Sequence, residues 1–195
     1  MRKRKLLIHL IGMVVARATF YSMNPLSIGY FTAASLAGAG SGWAFIAAVI
    51  GIASSMNMIG ILKYSLTLIA SITLLEMPLI KKSNMPKVCL YSIPSLVLFC
   101  FSMMEMTTGG STTTYLAMAV LEGMISLVSA LLFREAIEYL MLPQKGERLS
   151  NEQMVSTAIM AAVVLYSIPE FDSAYLAPAE TLVYFMILYF SYKYG

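Results

Sequence analysis

The chain has 195 residues, of which 59% are hydrophobic and 12% charged, and its net charge is +3. Soluble domains carry about 25% charged residues, so the composition excludes an ordinary soluble domain. It predicts an all-α fold, a polytopic transmembrane helical bundle. The small positive charge is better explained by membrane topology than by nucleic-acid binding, because the basic residues are concentrated in the links between apolar segments.

Apolar segments separated by short polar links predict the helices. A bilayer core about 30 Å thick needs about 20 mostly apolar residues for each spanning helix. The second segment is too short for this, so it is interpreted as part of a broken or re-entrant early helix pair, and the bundle as having about six to eight spans. A single integral membrane domain over residues 1–195 is predicted, with helices at residues 5–22, 26–38, 43–59, 62–80, 88–106, 112–141, 150–168 and 174–193.

Two local signals mark helix ends. Asn24-Pro25 breaks the first apolar run, because proline disfavours helix in the preceding residue and suits a first helical turn. Ser150-Asn151-Glu152-Gln153 matches a capping box, in which the Ser150 side chain accepts from the third helical N–H and Gln153 reaches back. The sequence therefore predicts helix starts at these two points.

Basic residues predict the orientation, since cytoplasmic links carry an excess of lysine and arginine. The N-terminal run Arg2–Lys5, the link at 81–87 and the region 134–148 are predicted to be cytoplasmic, and the acidic turn with Glu170 and Asp172 to lie outside. The predicted location is the inner (plasma) membrane with a cytoplasmic N-terminus. The first eighty residues must then cross an even number of times, and two or four crossings stay open.

No catalytic group, metal site or cofactor is predicted in this chain. It contains one histidine, His9, and one aspartate, Asp172, which is predicted to lie in an outside turn. Metal-dependent hydrolysis needs converging carboxylates or histidines. Cys89 and Cys100 fall within one predicted helix, about 16 Å apart, too far for a disulfide.

Ionisable residues inside apolar segments are the candidate functional residues, because a charge is costly in hydrocarbon. They are Arg17, Glu76, Glu105 and Glu122, with Glu122 near the middle of its segment. Lys63 lies at a predicted helix boundary, from which its side chain can reach the interface. Three interpretations stay open: a transport or proton pathway with Glu122 as carrier, a structural ion pair with Arg17 as a suggested partner of Glu122, and signal coupling.

A second group of charges lies on the polar extension of the sixth predicted helix. Arg134, Glu135 and Glu138 form this group, and Arg134 and Glu138 share one helix face at i, i+4 spacing. The extension is interpreted either as a docking surface or as a simple solvated face.

Two sets of residues resemble the membrane region of stage II sporulation protein E. The first is Ala16-Arg17-Ala18 with the run at 25–34, PLSIGYFTAA, which resembles the opening of that region. The second is the run at 132–136, LFREA, followed by LSNEQ at 149–153, which resembles the family's Phe-Arg-x-Ala and Leu-Ser-Asn-Glu-Glu signals. Their order and approximate spacing agree across nearly the whole chain.

The resemblance implies a non-catalytic membrane anchor and regulatory module that positions and controls a cytoplasmic serine/threonine phosphatase domain. It implies a location at the polar septum of a sporulating bacterium, and the tubulin-like division-ring protein as a partner besides the lipid bilayer. The phosphatase domain of the family would need Mn or Mg, and a continuation beyond Gly195 is expected to carry it. A homo-oligomer stays open, and the alternative function is a small-molecule transporter or its membrane subunit.

Overall fold

The computed structural model describes residues 2–20, 23–78, 80, 85–105, 112–141 and 150–168. Within these ranges the chain forms seven α-helices and no strand, apart from an isolated bridge between Phe20 and Met23. The all-helical fold class is therefore confirmed. The helices are α1 (Arg2–Val15), α2 (Pro25–Leu36), α3 (Ser41–Ala53), α4 (Met58–Glu76), α5 (Lys87–Glu105), α6 (Thr112–Met141) and α7 (Asn151–Ser167).

Helix α2 lies at the centre of the bundle. Its residues are apolar or small on every face, which is typical of a buried helix, and all ten residues from Pro25 to Ala34 are buried. It packs most extensively against α6 and also contacts α1, α3, α4 and α5. With 12 residues it is about 18 Å long, shorter than a bilayer core. This short helix is therefore an inner element enclosed by its neighbours.

The first predicted helix, 5–22, is longer than the observed one, which ends at Val15. The reason is the Asn24 side chain, which folds back onto the link between α1 and α2. Its Nδ2 donates to the carbonyl of Ala16 at 2.7 Å, and its Oδ1 accepts from the N–H of Ser27 at 3.2 Å. One asparagine thus satisfies a carbonyl just beyond the end of α1 and caps the start of α2.

The predicted boundary between the third and fourth helices, at 43–59 and 62–80, is also wrong. Helix α3 ends at Ala53, and α4 begins directly after Asn57. The Asn57 side chain accepts the N–H of Gly60 at 2.9 Å, so it caps a helix that starts four residues earlier than predicted. An asparagine cap satisfies a backbone donor that the first helical turn leaves unpaired.

The capping box predicted at Ser150 is confirmed. Ser150 Oγ accepts the N–H of Gln153 at 3.2 Å, and Gln153 Oε1 accepts the N–H of Ser150 at 3.3 Å. The last predicted helix, 174–193, and the predicted links at 107–111 and 142–149 lie outside the described residues.

The first four helices alternate in direction. Lys5 Nζ donates to the carbonyl of Gly38 at 3.0 Å, so the start of α1 lies beside the link between α2 and α3. Ser41 Oγ donates to Glu76 at 2.8 Å, which brings the end of α4 to the same place. We call this the amino-terminal end of the bundle. The link at 54–57 consequently lies at the opposite end.

Many large apolar side chains face outward, while the core is mainly apolar and also contains buried polar residues such as Ser71, Glu122 and Ser126. Helices Met58–Glu76 and Thr113–Met141 are long and apolar enough to cross a membrane, and Ser41–Ala53 and Val88–Met104 are shorter apolar helices. Only 28% and 33% of the apolar windows of the two long helices are buried, so most of each faces outward. The exposed large side chains include Trp43, Ile46, Ile50, Met58, Ile59, Leu62, Leu66, Ile69, Leu96, Met124 and Val128.

Candidate functional site

The Glu122 carboxylate lies in the interior of the bundle, on α6, and its residue is only 1% exposed. Lys63 Nζ donates to Glu122 Oε2 at 2.9 Å. Ser102 Oγ donates to the same oxygen, and the Tyr64 hydroxyl donates to Oε1. A buried charge is tolerated when it is paired and hydrogen-bonded. The carboxylate thus joins α4, α5 and α6.

The partner of Glu122 differs from the suggested one. Lys63 points inward to the carboxylate, with its side chain 10% exposed, instead of reaching the interface. Its ammonium also lies 5.2 Å from the ring centroid of Tyr64, within cation–π range. Arg17 lies in the link between α1 and α2, and its buried Nε has no hydrogen-bond partner among the described residues. The ion pair is therefore Lys63–Glu122 and not Arg17–Glu122.

Hydrogen bonds connect the ion pair to the central helix. The Tyr64 hydroxyl, which donates to Glu122, accepts the backbone N–H of Asn24 at 2.5 Å. Asn24 is the residue that caps α2 and holds the end of α1. Glu122 is thus connected through the Tyr64 hydroxyl to the residue that caps α2.

A cavity of about 410 Å³ lies beside the ion pair. Both Lys63 and Glu122 line it, and further lining residues come from the link at 54–57 and the first turns of α6. The cavity is therefore at the end of the bundle opposite the N-terminus. Its other polar lining residues are Thr19, Ser55, Asn57, Ser102 and Tyr115.

The other predicted intramembrane acids do not join this site. Glu76 is exposed at the amino-terminal end and accepts the hydroxyl of Ser41, whereas Glu122 is near the opposite end. The side chain of Glu105 lies outside the described part of the chain. Among the described residues, no group of three or more His, Cys, Asp or Glu side chains could hold a metal ion.

Arg134, Glu135 and Glu138 form a cluster near the end of α6. Arg134 Nε lies 2.7 Å from Glu138 Oε1 and 4.0 Å from Glu135 Oε1. The guanidinium also lies 5.7 Å from the ring centroid of Tyr91, near the start of α5. Arg134 thus attaches the extension to α5, while the carboxylate side chains are 32% and 38% exposed. Docking at these acids stays a prediction.

Sequence reasoning missed Lys63, Tyr64 and Ser102 as members of the site. A signal for Lys63 was present, since it is a charge within an apolar run, the criterion that identified Glu122. The misplaced helix boundary put Lys63 at an end, whereas the cap at Asn57 puts it in the second turn of α4. Tyr64 and Ser102 carry no such signal, because hydroxyl groups are common in helices that pack in membranes.

An apolar exterior around a packed core that encloses hydroxyl side chains and an ion pair is typical of helical membrane domains. The family model described as SpoIIE, N-terminal domain, matches residues 1–195, the whole chain. The chain therefore belongs to this family, and the resemblance read from its motifs is confirmed. No curated protein and no solved structure matches the chain.

Several of the residues that carry the family resemblance lie in the interior or at a helix cap, whereas Arg134 and Glu135 are partly exposed. The run 25–34 is the buried part of α2. In the second motif, Phe133 and Ala136 are buried on α6, and Ser150 caps α7. These residues therefore set the packing of the bundle.

Proposed function

We propose that this chain is a non-catalytic membrane anchor and regulatory module that positions and controls a cytoplasmic phosphatase at the sporulation septum. Membership of the SpoIIE N-terminal family over residues 1–195 supports this function. The observation that carries it is the large apolar outer surface of the long helices α4 and α6 together with the ion pair that the bundle encloses, because such a surface suits a lipid environment better than water.

The exterior supports insertion in a bilayer. Leu62, Leu66 and Ile69 lie on one face of α4 and are 48–61% exposed, and soluble monomers rarely expose contiguous apolar patches larger than a few hundred Å². In hydrocarbon the same side chains are favourable, each by about 0.3–0.6 kcal/mol for leucine, isoleucine and phenylalanine at a helix centre. In the proposed bundle of six to eight spans, α2 is an inner helix that others shield from lipid.

The amino-terminal end of the bundle is the proposed cytoplasmic end. It carries Lys5 at the start of α1, and α6 runs toward it and ends with the cluster of Arg134, Glu135 and Glu138. The exposed carboxylates of this cluster are the proposed docking point for the phosphatase domain. Self-association and contact with the division-ring protein belong to the same proposal.

A fluorescent protein fused after Gly195 tests the anchoring and the septal location in sporulating cells of an endospore-forming bacterium. We expect fluorescence in the membrane, concentrated at the polar septum, because the proposed role needs both. The control is the same reporter on an unrelated polytopic membrane protein, which distributes over the whole membrane. Cytosolic fluorescence would contradict anchoring, and fluorescence spread as in the control would contradict septal positioning.

The alternative function, a transporter, makes a different prediction for Glu122→Gln. A carrier carboxylate would be essential, so proton uptake into proteoliposomes, followed with a pH-sensitive dye, would be lost while the protein stayed folded. We expect instead a loss of stability of about 3–5 kcal/mol, because the neutral amide leaves the Lys63 ammonium without its counter-charge. Thermal unfolding of the purified variant measures this loss. Abolished proton uptake with unchanged stability would contradict the anchor function.

A further inference from the structure

The cavity beside the Lys63–Glu122 pair has the size and lining of a ligand site. Its volume of about 410 Å³ lies within the range of about 300–1,000 Å³ found for small-molecule pockets. Hydroxyl and amide side chains line it together with apolar ones such as Met23, Met118 and Ile59. A few convergent polar groups within an apolar wall are what such pockets use to orient a ligand.

The charges on the cavity wall restrict the chemistry of the ligand. Lys63 and Glu122 carry opposite charges, and their Nζ and Oε2 atoms are 2.9 Å apart. A singly charged ligand that separated the two residues would pair with only one of them and would leave the other without a counter-charge. A ligand with a carboxylate and an ammonium group on the same carbon atom can pair with both. A neutral ligand has no charge to offer either residue.

The Glu122 carboxylate is a hydrogen-bond acceptor at the cavity wall. A carboxylate accepts about four hydrogen bonds, and the described residues supply three, from Lys63, Tyr64 and Ser102. Within the described residues the carboxylate thus uses three of these positions, and both Glu122 and Lys63 line the cavity. Ionised residues within membrane bundles face water-filled cavities and mark the places where solutes bind.

From these observations we infer that the cavity is a binding site for a small zwitterion of the size of a free amino acid. The ligand carboxylate lies against Lys63 and its ammonium against Glu122. Its side chain lies among the methionines of the wall, where a flexible thioether adapts to different shapes. This function goes beyond anchoring. Because Tyr64 links Glu122 to Asn24, a ligand at the pair also acts on the hydrogen bonds at the start of α2.

Binding is measured on the purified chain in lipid nanodiscs, with the standard L-amino acids as individual probes in thermal-shift and calorimetric titrations. We expect saturable binding of at least one of them. Its N-acetyl derivative lacks the ammonium and its methyl ester lacks the carboxylate. Each should bind about tenfold more weakly or worse, since each loses one charge-assisted contact.

Two tryptophan substitutions on α6 provide a matched pair. Met118 lines the cavity and is 44% exposed, whereas Leu116 is 42% exposed and is not a lining residue. Met118→Trp should fill the cavity and weaken binding about tenfold or more, and Leu116→Trp should leave it unchanged. Both positions are partly exposed, so both variants are expected to fold, which circular dichroism verifies.

Three results would overturn the inference. One is the absence of saturable binding of any amino acid to the folded chain. Another is equal binding by Met118→Trp and Leu116→Trp, which would place the ligand elsewhere. The third is equal binding of the ester or the N-acetyl derivative, which would show that the ion pair does not recognise the two ligand charges.

Discussion

At the scale of single residues, the Lys63–Glu122 pair is a strong constraint on the described bundle. Replacing a buried ion pair by apolar residues is often neutral, but removing one partner leaves an uncompensated charge and costs about 3–5 kcal/mol. The Glu122 side chain is 1% exposed and that of Lys63 10%, so the pair is largely shielded from solvent. The main effect of the pair is therefore to specify which helices pack together, and its net contribution to stability is small.

Lys63→Met tests this constraint. We expect it to destabilise the bundle by about 3 kcal/mol, because Glu122 keeps its charge without a cationic partner. The double variant Lys63→Met with Glu122→Gln should be more stable than Lys63→Met alone. The free energy of unfolding of the single and double variants, measured in one detergent, gives the coupling energy. A double variant whose loss equals the sum of the single losses would show that the two residues do not interact.

Sequence reasoning identified Glu122 but not its partner. A charge within an apolar run is visible one residue at a time, because hydrocarbon penalises it whatever the fold. Its partner depends on which helices pack together, and Lys63 is 59 positions away along the chain. Arg17 was suggested because it was predicted to lie within an apolar segment, whereas Lys63 was placed at a helix boundary.

At the scale of elements, α2 is the helix around which the others pack. Its contact with α6 requires a glycine, because a Cβ on Gly29 would lie 1.9 Å from Ser129 Oγ and 3.0 Å from the carbonyl oxygen of Ser126. Small residues at such crossings let helix backbones approach closely. Because the two backbones are close at Gly29, other side chains of α2 and α6 also come into contact.

Gly29→Ala is expected to destabilise the bundle by about 1–3 kcal/mol, because the added methyl group overpacks the contact between α2 and α6. Gly42→Ala is the matched control, since a Cβ at Gly42 meets no atom within 4 Å and alanine favours helix by up to about 1 kcal/mol. Thermal unfolding compares the two variants. Equal stabilities would show that the close approach at Gly29 does not contribute.

The sequence predicted which segments are helical better than it predicted where each helix begins and ends. The capping box at Ser150 was found because a short local pattern specifies it. Asn57 caps α4 with the same chemistry, but it is followed by an apolar run that continues the preceding one. The position of α2 at the centre was not predicted, because a segment that is apolar or small on every face suits a re-entrant helix as well as a buried one.

At the scale of the whole molecule, orientation is the property that connects the bundle to its proposed function. The basic start of α1 and the cluster at Arg134 belong to the amino-terminal end, and the cavity belongs to the other end. The predicted cytoplasmic N-terminus would therefore put the docking surface in the cytoplasm and the cavity on the outer side.

Cysteine labelling in intact cells tests this orientation. After replacement of Cys89 and Cys100 by serine, single cysteines are introduced as Ser55→Cys and Met85→Cys, both at exposed positions in opposite end links. We expect a membrane-impermeant maleimide to label Ser55→Cys directly and Met85→Cys only after permeabilisation, because basic links stay in the cytoplasm. The reverse pattern would invert the topology.

The burial of α2 against α6 also has a consequence for synthesis of the protein on the ribosome. Gly29 and Ser129, which meet in the structure, are separated by 129 − 29 = 100 positions. At about 5–20 residues per second, the ribosome needs about 5–20 s to make the intervening chain. During that interval the nascent α2, which is too short to cross the bilayer alone, lacks the contact with α6 that it has in the complete bundle.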